Sequence, residues 1–170
     1  MPDRIQAAHG VTFVELAVVL ALIAIIAGYA VPAFDGLLLD SRRTAAVTTA
    51  LHAVSLARQL AAIRGETMRL CGSRDARQCS GDTDWSTGLL VTDAADTLHR
   101  NLPLPALARA PAIRANRSNV TFEGGSGFAT PATLTICDRR GAAAARAIII
   151  SRSGRPRVSD RDGSNELLAC

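Results

Sequence analysis

The sequence predicts an α+β protein in which one long N-terminal helix precedes a mainly antiparallel β-sheet domain. Three observations support this fold class. An apolar block runs from Leu16 to Val31, an alanine-rich run without glycine or proline fills residues 41–64, and short strand-like segments separated by turn residues follow Gly65. A chain of 170 residues has room for one domain and an appendage, which excludes most multidomain enzymes.

The N-terminal region is predicted to contain a leader and a membrane span. Residues 1–10 are short and polar and end in Gly10, directly before the apolar block. Residues 11–34 are predicted to cross a bilayer, because 24 helical residues reach about 36 Å and the hydrocarbon core is about 30 Å thick. Arg4 precedes this span and the next basic residue is Arg42, which predicts an N-terminus in the cytoplasm and a C-terminal domain outside.

Glu15 is an acidic residue inside this apolar run. An acidic side chain at such a depth costs about 2.5 to 3.5 kcal/mol, so it calls for a partner. Two interpretations stay open: the carboxylate reaches the lipid headgroups, or a positive group of another subunit neutralises it. An ordinary signal peptide cleaved after Ala30 is the alternative for the whole segment, and a glutamate in its apolar region argues against it.

The string HGVTFVELAVVLALIAIIAGYAVPAF resembles the class III signal of type IV pilins and type II secretion pseudopilins. The resemblance implies that a prepilin peptidase cleaves after Gly10 and methylates the amino group of Val11, although phenylalanine is usual at that position. It also implies that Glu15 neutralises this amino group on a neighbouring subunit in a filament. Pro32 matches a proline common in the family, and the helix is expected to kink or locally melt there.

Residues 35–64 are predicted to continue the helix, and residues 65–170 to form a β-rich globular domain. The large apolar side chains of the helix fall on two nearly opposite faces, which are Val47, Leu51 and Val54 on one, and Leu56, Leu60 and Ile63 on the other. This pattern predicts two buried sides, one on the domain's own sheet and one on neighbouring subunits; a wholly buried core helix is the alternative. Strands are predicted at TMRLC from 67, GLLVT from 88, NVTFE from 119, TLTIC from 133 and AIIIS from 147.

Four cysteines lie beyond the apolar block, and an even number in an exported domain predicts two disulfides. Of the three pairings we prefer Cys71 with Cys79 and Cys137 with Cys170, because this pairing closes a short local loop and ties the last residue to a strand end. Zinc is the competing interpretation, but the cysteines lack C-x-x-C spacing and the histidines are scattered.

Four further segments, LARQLAAIRGETMRLC, WSTGLLVTD, TLTICD and SRSGRPR, resemble landmarks of the GspH/FimT family of minor pseudopilins and minor pilins. Members occur in type II secretion and in type IV pili, where some FimT-type pilins bind DNA for uptake. A GRxR motif marks these DNA-binding pilins, and it matches Gly154, Arg155 and Arg157 in this chain.

The charge distribution is compatible with a nucleic-acid partner. All 19 basic residues are arginine, and residues 100–170 hold 11 of them against five acidic residues. Arginine binds phosphate bidentately, whereas six aromatic residues are too few for a base-stacking platform, so any binding should act through phosphates. Arg139, Arg140 and Arg146 extend the basic region only if folding brings them to it.

The segment SRSGRPR is the predicted DNA-binding site, with Arg155 and Arg157 as the main contacts and Arg152 as a helper. In an extended segment, Arg155 and Arg157 project from one face about 6.5 to 7 Å apart, which suits successive phosphates. Pro156 favours an edge strand or a loop, and Gly154 permits the turn that presents the motif. The alternative is a solvated cluster in which nearby aspartates neutralise the arginines.

No enzyme motif, cofactor or metal site is predicted. Two acidic groups have calcium ligation as an alternative to the preferred interpretation, a solvated turn; they are Asp82, Asp84, Ser86 and Asp93, and separately Asp160, Asp162 and Glu166.

The sequence therefore predicts a minor pilin of a type IV pilus system that acts in pilus biogenesis and binds extracellular DNA for natural transformation. A GspH-like minor pseudopilin of a type II secretion system is the alternative, and a soluble exported binding domain is a third class. The predicted partners are other pilins or pseudopilins, the prepilin peptidase, inner membrane lipid, and double-stranded DNA through its phosphates. The predicted location is the inner membrane, with the C-terminal domain in the periplasm, and the pilus after assembly.

Overall fold

The computed structural model describes residues 12–104 and 110–170, with nothing stated of the side chains of residues 31 and 32. Helix α1 runs from Phe13 to Arg64 and is followed by antiparallel sheets, which confirms the predicted fold class. The chain divides into two compact units between Leu38 and Leu39, so the boundary falls within α1. Each unit is described by itself, and residues 39–170 are called the C-terminal unit.

Before Leu39, α1 exposes large apolar side chains on every side, among them Phe13, Ile26 and Tyr29. By length and composition, α1 is the helix of the described chain that can cross a membrane. An apolar surface all round a helix is typical of a segment that meets lipid or other helices rather than water. These features support membrane anchoring. The helix continues through Pro32, so this proline does not end it.

Within the C-terminal unit, α1 buries a stripe of small side chains against the core. The stripe consists of alanines spaced three or four residues apart, each at most 6% exposed: Ala46, Ala50, Ala53, Ala57 and Ala61. Val47 and Leu51 on one flank, and Leu56 and Leu60 on the other, are partly buried against the same core. The two apolar sets seen in the sequence are therefore flanks of one buried arc and not two opposite buried faces, and Ile63 is exposed.

Eight strands, all in antiparallel pairs, follow α1 within the described ranges. They are β1 (Met68–Gly72), β2 (Gly88–Asp93), β3 (Leu98–Pro103), β4 (Ala112–Ala115), β5 (Asn119–Phe122), β6 (Ala132–Cys137), β7 (Arg146–Ile150) and β8 (Pro156–Ser159). They form two four-stranded sheets, with strand orders β3-β2-β1-β5 and β4-β6-β7-β8. Five of them were predicted, whereas β3, β4 and β8 were not placed as strands.

One apolar cluster joins the alanine stripe to both sheets. Its strand members include Met68 and Leu70 from the first sheet, and Leu134 and Ile148 from the second. Trp85 is fully buried in this cluster and packs on Gly72, where any Cβ would overlap the indole ring. Its ring N–H donates to the carbonyl of Asp82 at 3.3 Å, so the polar end of the ring is satisfied.

Two disulfides close the C-terminal unit, in the pairing preferred from the sequence. Cys71 in β1 is joined to Cys79, and Cys137 at the end of β6 is joined to Cys170, with Cα atoms 5.7 and 5.8 Å apart respectively. Both separations lie in the ordinary range for a disulfide. In the chain-entropy account, the longer loop contributes about 3 to 4 kcal/mol.

The alanine stripe leads to a stability prediction. Ala53 is fully buried, so Ala53→Leu should overpack the core and lower the free energy of unfolding by about 1 to 3 kcal/mol. Ala62→Leu, on the exposed side of the same helix, is the matched control and should leave it within about 0.5 kcal/mol. Urea unfolding followed by fluorescence of Trp85, the single tryptophan, measures both; equal effects of the two variants would contradict the packing account.

Candidate nucleic-acid interface

The GRPR motif lies in the turn between β7 and β8 and at the start of β8. The backbone N–H of Gly154 donates to the carbonyl of Ser151 at 2.9 Å, and the N–H of Ser151 donates to the carbonyl of Arg155 at 3.2 Å. Gly154 has φ +70°, the left-handed region in which glycine carries no steric cost. Strand β8 lies at the edge of its sheet and contains Pro156, in agreement with the edge position expected for this proline.

Gly154 is buried at a point where three segments meet. A Cβ built on it would lie 2.7 Å from the carbonyl oxygen of Gly127 and 3.2 Å from Cδ of Arg58 on α1. The carbonyl of Arg152 accepts the N–H of Ala129 at 2.8 Å, which joins the motif to the loop between β5 and β6. Arg58 and Gly127 were not singled out in the sequence, because their proximity to Gly154 arises only from folding.

Three arginines are exposed at this turn: Arg152, Arg155 and Arg157, called the turn arginines. Arg157 pairs in register with Ile149, whereas the neighbouring isoleucines of β7 are buried in the core. Since strand residues alternate between faces, Arg157 lies on the sheet face opposite to Ile148 and Ile150, and Arg155 is the turn residue directly before β8.

The aspartates that follow the motif do not neutralise the turn arginines. Among residues 12–104 and 110–170, no carboxylate forms an ion pair with any of the three. The carboxylate of Asp162 instead accepts the backbone N–H groups of Ser164 and Glu166, each at 2.8 Å. The described chain thus shows no ion pair between the turn arginines and these aspartates.

The other arginines considered for this surface lie elsewhere. Arg140 contacts Asp138 at 2.6 Å and Asp40 on α1 at 2.9 Å, so its charge is compensated within the chain. Arg139 precedes it in the same turn, and Arg146 begins β7, at the far end of that strand from the motif. The candidate surface therefore does not include Arg140 or Arg146.

The acidic clusters act as turn caps. The carboxylate of Asp84 accepts the backbone N–H of Ser86 at 3.1 Å and its hydroxyl at 2.5 Å, and these hydrogen bonds hold the pKa of Asp84 below its ordinary value. Asp93 caps the turn before β3 in the same way, through the N–H groups of Ala95 and Thr97. In the part of the chain that the structure describes, no group of three or more acidic, histidine or cysteine side chains is arranged to hold a metal ion.

The processing and assembly residues belong to the N-terminal region. Gly10 and Val11 lie outside the described residues. Glu15 is exposed in the first turn of α1, where its backbone N–H donates to the hydroxyl of Thr12 at 3.2 Å. An exposed carboxylate on an otherwise apolar helix is available to a group outside the chain.

The sequence profile of the family described as type II transport protein GspH matches residues 46–154. The chain belongs to the GspH family. No protein of curated function matches it in sequence. GspH-family proteins of this kind are minor pilins or pseudopilins, which are structural and not enzymatic.

Two crystal structures of the type IV minor pilin FimU from Pseudomonas aeruginosa share the fold of this GspH-family chain at 19% sequence identity. One has a TM-score of 0.56 and covers 80% of this chain and 97% of its own. The other has a TM-score of 0.51 and covers 71% and 93%. At this identity the likeness concerns the fold alone. The family match ends at Gly154, so Arg155 and Arg157 lie just beyond it.

The packing of Gly154 generates a mutational prediction with a close control. Gly154→Ala should cost about 1 to 2 kcal/mol for the left-handed backbone and about 1 to 3 kcal/mol more for the contacts with Gly127 and Arg58. Gly65→Ala, directly after α1, also places an alanine at a positive φ, +67°, but its Cβ would meet no atom within 4 Å. Thermal unfolding of both variants should therefore separate them; equal losses of stability would show that the close approach has no energetic weight.

The clamp between Asp138 and Arg140 predicts a pH dependence. The hydrogen bond from Arg140 holds the pKa of Asp138 below its ordinary value, although burial opposes this shift. Because the folded-state pKa is the lower one, the stabilisation is present above about pH 4 and is lost as the pH falls through the folded-state pKa. Asp138→Asn should lower the free energy of unfolding by about 1 to 3 kcal/mol at pH 7, with the difference shrinking in acid.

Urea unfolding between pH 7 and pH 2.5 measures this effect, with the exposed Asp160→Asn as the control that should change little. A difference between the wild type and Asp138→Asn that stays constant across this range would contradict the assignment.

Proposed function

We propose that this GspH-family protein is a minor pilin of a type IV pilus system that binds extracellular double-stranded DNA for uptake in natural transformation. The observation that carries the proposal is the exposure of the turn arginines at a sheet edge, with no acidic partner among the described residues. An edge strand with basic side chains is accessible along its length, so a duplex can approach it.

The chemistry of the site favours phosphates as the ligands. Arg155 ends the turn and Arg157 lies in β8, two residues later; an extended backbone between them would place them about 6.5 to 7 Å apart, which suits consecutive phosphates of one DNA strand. The tight turn and the buried Gly154 fix the backbone that carries them, so little ordering of the main chain is needed on binding. Binding of this kind is weakly selective for sequence and strongly dependent on salt.

The N-terminal region is proposed to serve assembly. The prepilin peptidase would cleave after Gly10 and methylate Val11, and the precursor would sit in the inner membrane with its C-terminal domain in the periplasm. Glu15, exposed on α1, would then neutralise the amino group of Val11 on a neighbouring pilin. Pro32 would allow α1 to bend as the subunit enters the filament.

A minor pseudopilin of a type II secretion system is the second candidate. The family description, type II transport protein, favours it, and the family match ends before the two main arginines of the motif. A pseudopilus subunit has no requirement for DNA, so direct binding separates the two candidates.

Binding should be measured by fluorescence anisotropy with duplex DNA and the full chain in an uncharged detergent. Three contacted phosphates give a log–log salt slope of at least about 2.7 in magnitude, which is about a forty-fold loss of affinity from 50 to 200 mM salt. Arg155→Gln/Arg157→Gln should reduce the slope by about 1.8 in magnitude, because two contacts are lost.

The matched control removes the same charge from the first sheet and its loops. Arg77 and Arg100 are exposed and have no carboxylate partner in the described chain, so Arg77→Gln/Arg100→Gln should bind like the wild type. Equal binding by the wild type and the Arg155→Gln/Arg157→Gln variant, or no binding by the wild type at low salt, would sink the proposal and favour the secretion pseudopilus.

A further inference from the structure

Arg58 lies on α1 directly against the turn that carries the GRPR motif. Its Cδ and Nε would lie 3.2 and 3.4 Å from a Cβ built on Gly154, and its Nε 3.8 Å from one built on Gly127. The side chain thus passes alongside both glycines. Because Gly154 has no side chain, the stem of Arg58 has space to pass beside the turn, whereas a Cβ on Gly127 would make only an ordinary contact with it.

The guanidinium of Arg58 has no partner among residues 12–104 and 110–170. It makes no hydrogen bond, ion pair or ring contact there, although other half-buried arginines of the chain are engaged: Arg43 with Asp40 and Arg69 with Asp96. Within the described chain, Thr92 Oγ1 is the only buried side-chain nitrogen or oxygen that lacks a hydrogen-bond partner. The unpaired nitrogens of Arg58 are therefore not buried, and they reach solvent. A fixed arginine that keeps all its donors available to solvent is a ready ligand for an anion.

The position of Arg58 separates it from ordinary surface arginines. Its stem is held between α1 and the turn, so a bound anion would immobilise fewer bonds than at a freely moving side chain. Glu123, four residues before Gly127 in the chain, accepts a hydrogen bond from the hydroxyl of Ser126 at 3.2 Å. It forms no ion pair with Arg58 in the described chain.

We infer that Arg58 is a further phosphate ligand of the DNA site, next to the turn arginines. The inference rests on the proposed function and deepens it, because it assigns to the helix a residue that lies outside the GRPR motif. It also gives Gly154 a second role. The glycine permits the left-handed turn and leaves open the space through which Arg58 reaches the DNA backbone.

The test is the salt dependence of DNA binding by the full chain in an uncharged detergent. With Arg58 as a fourth contact, the wild type should have a slope of about 3.6 in magnitude and Arg58→Gln about 2.7. The affinity ratio of wild type to Arg58→Gln should therefore shrink about 3.5-fold between 50 and 200 mM salt. Arg58→Lys keeps the charge and should keep the wild-type slope, whereas Arg58→Met keeps an apolar stem without the charge and should lower the slope as Arg58→Gln does; a purely structural role of the stem predicts that Arg58→Met keeps the wild-type slope.

Two further variants keep the test decisive. Arg77→Gln removes one charge from the loop after β1 and should keep the wild-type slope. Arg58→Met retains an apolar stem beside Gly154 and replaces Arg58→Gln if the latter unfolds, as judged by Trp85 fluorescence.

The outcomes separate this inference from the proposed function. If the wild type does not bind DNA, both fail together. If the wild type binds and Arg155→Gln/Arg157→Gln lowers the slope while the Arg58 variants keep it, only the role of Arg58 is overturned. Equal loss of slope in Arg58→Gln and Arg77→Gln would also overturn it, because the effect would then be one of net charge.

Discussion

The contact between the alanine stripe of α1 and the two sheets is the constraint on which the C-terminal unit depends. Alanine at five positions of one helical face, with Val54 beside them, keeps the buried side chains of the helix short, so both sheets share one core with it. The large apolar residues of α1 lie on the two flanks of the alanine stripe. The strands fill much of the core with Leu, Ile and Val side chains. A helix with leucines on this face would hold the sheets further out and leave Trp85 and its neighbours loosely packed.

The close approach of backbone segments at the GRPR turn follows from this geometry. The loop after β5 and the turn after β7 meet beside Arg58, and Gly154 is the residue that leaves no room for a Cβ, which would lie 2.7 Å from the carbonyl oxygen of Gly127. Gly124 makes a comparable approach to the backbone of Gly65 at the end of α1. Glycine at these points reflects the lack of space for a Cβ as well as the left-handed backbone of Gly154.

Much of this organisation could be predicted from the sequence, because the signals are local. The membrane span follows from the length of the apolar run, and β6 follows from the alternation in Thr133–Cys137. The edge position of the GRPR segment follows from Pro156, because proline has no N–H to donate. Strand β3 was missed because it is polar and largely exposed, so its sequence lacks alternation. The alanine stripe was missed because large apolar residues dominate a periodicity argument, and Arg58 because its relation to Gly154 is a tertiary contact.

The bond between Cys137 and Cys170 has a mechanical consequence. It closes a covalent ring that contains β7, the GRPR turn and β8, since the two cysteines are 33 residues apart and enclose all three. An edge strand is normally the easiest element to peel from a sheet, starting at its free end. Here the chain after β8 is bonded through Cys170 to Cys137 at the end of β6. A force applied at the GRPR turn is therefore carried by both halves of the ring, one through β7 and one through β8. Opening of the edge strand therefore cannot run on to a free chain end, because residues 160–170 lead back to Cys137.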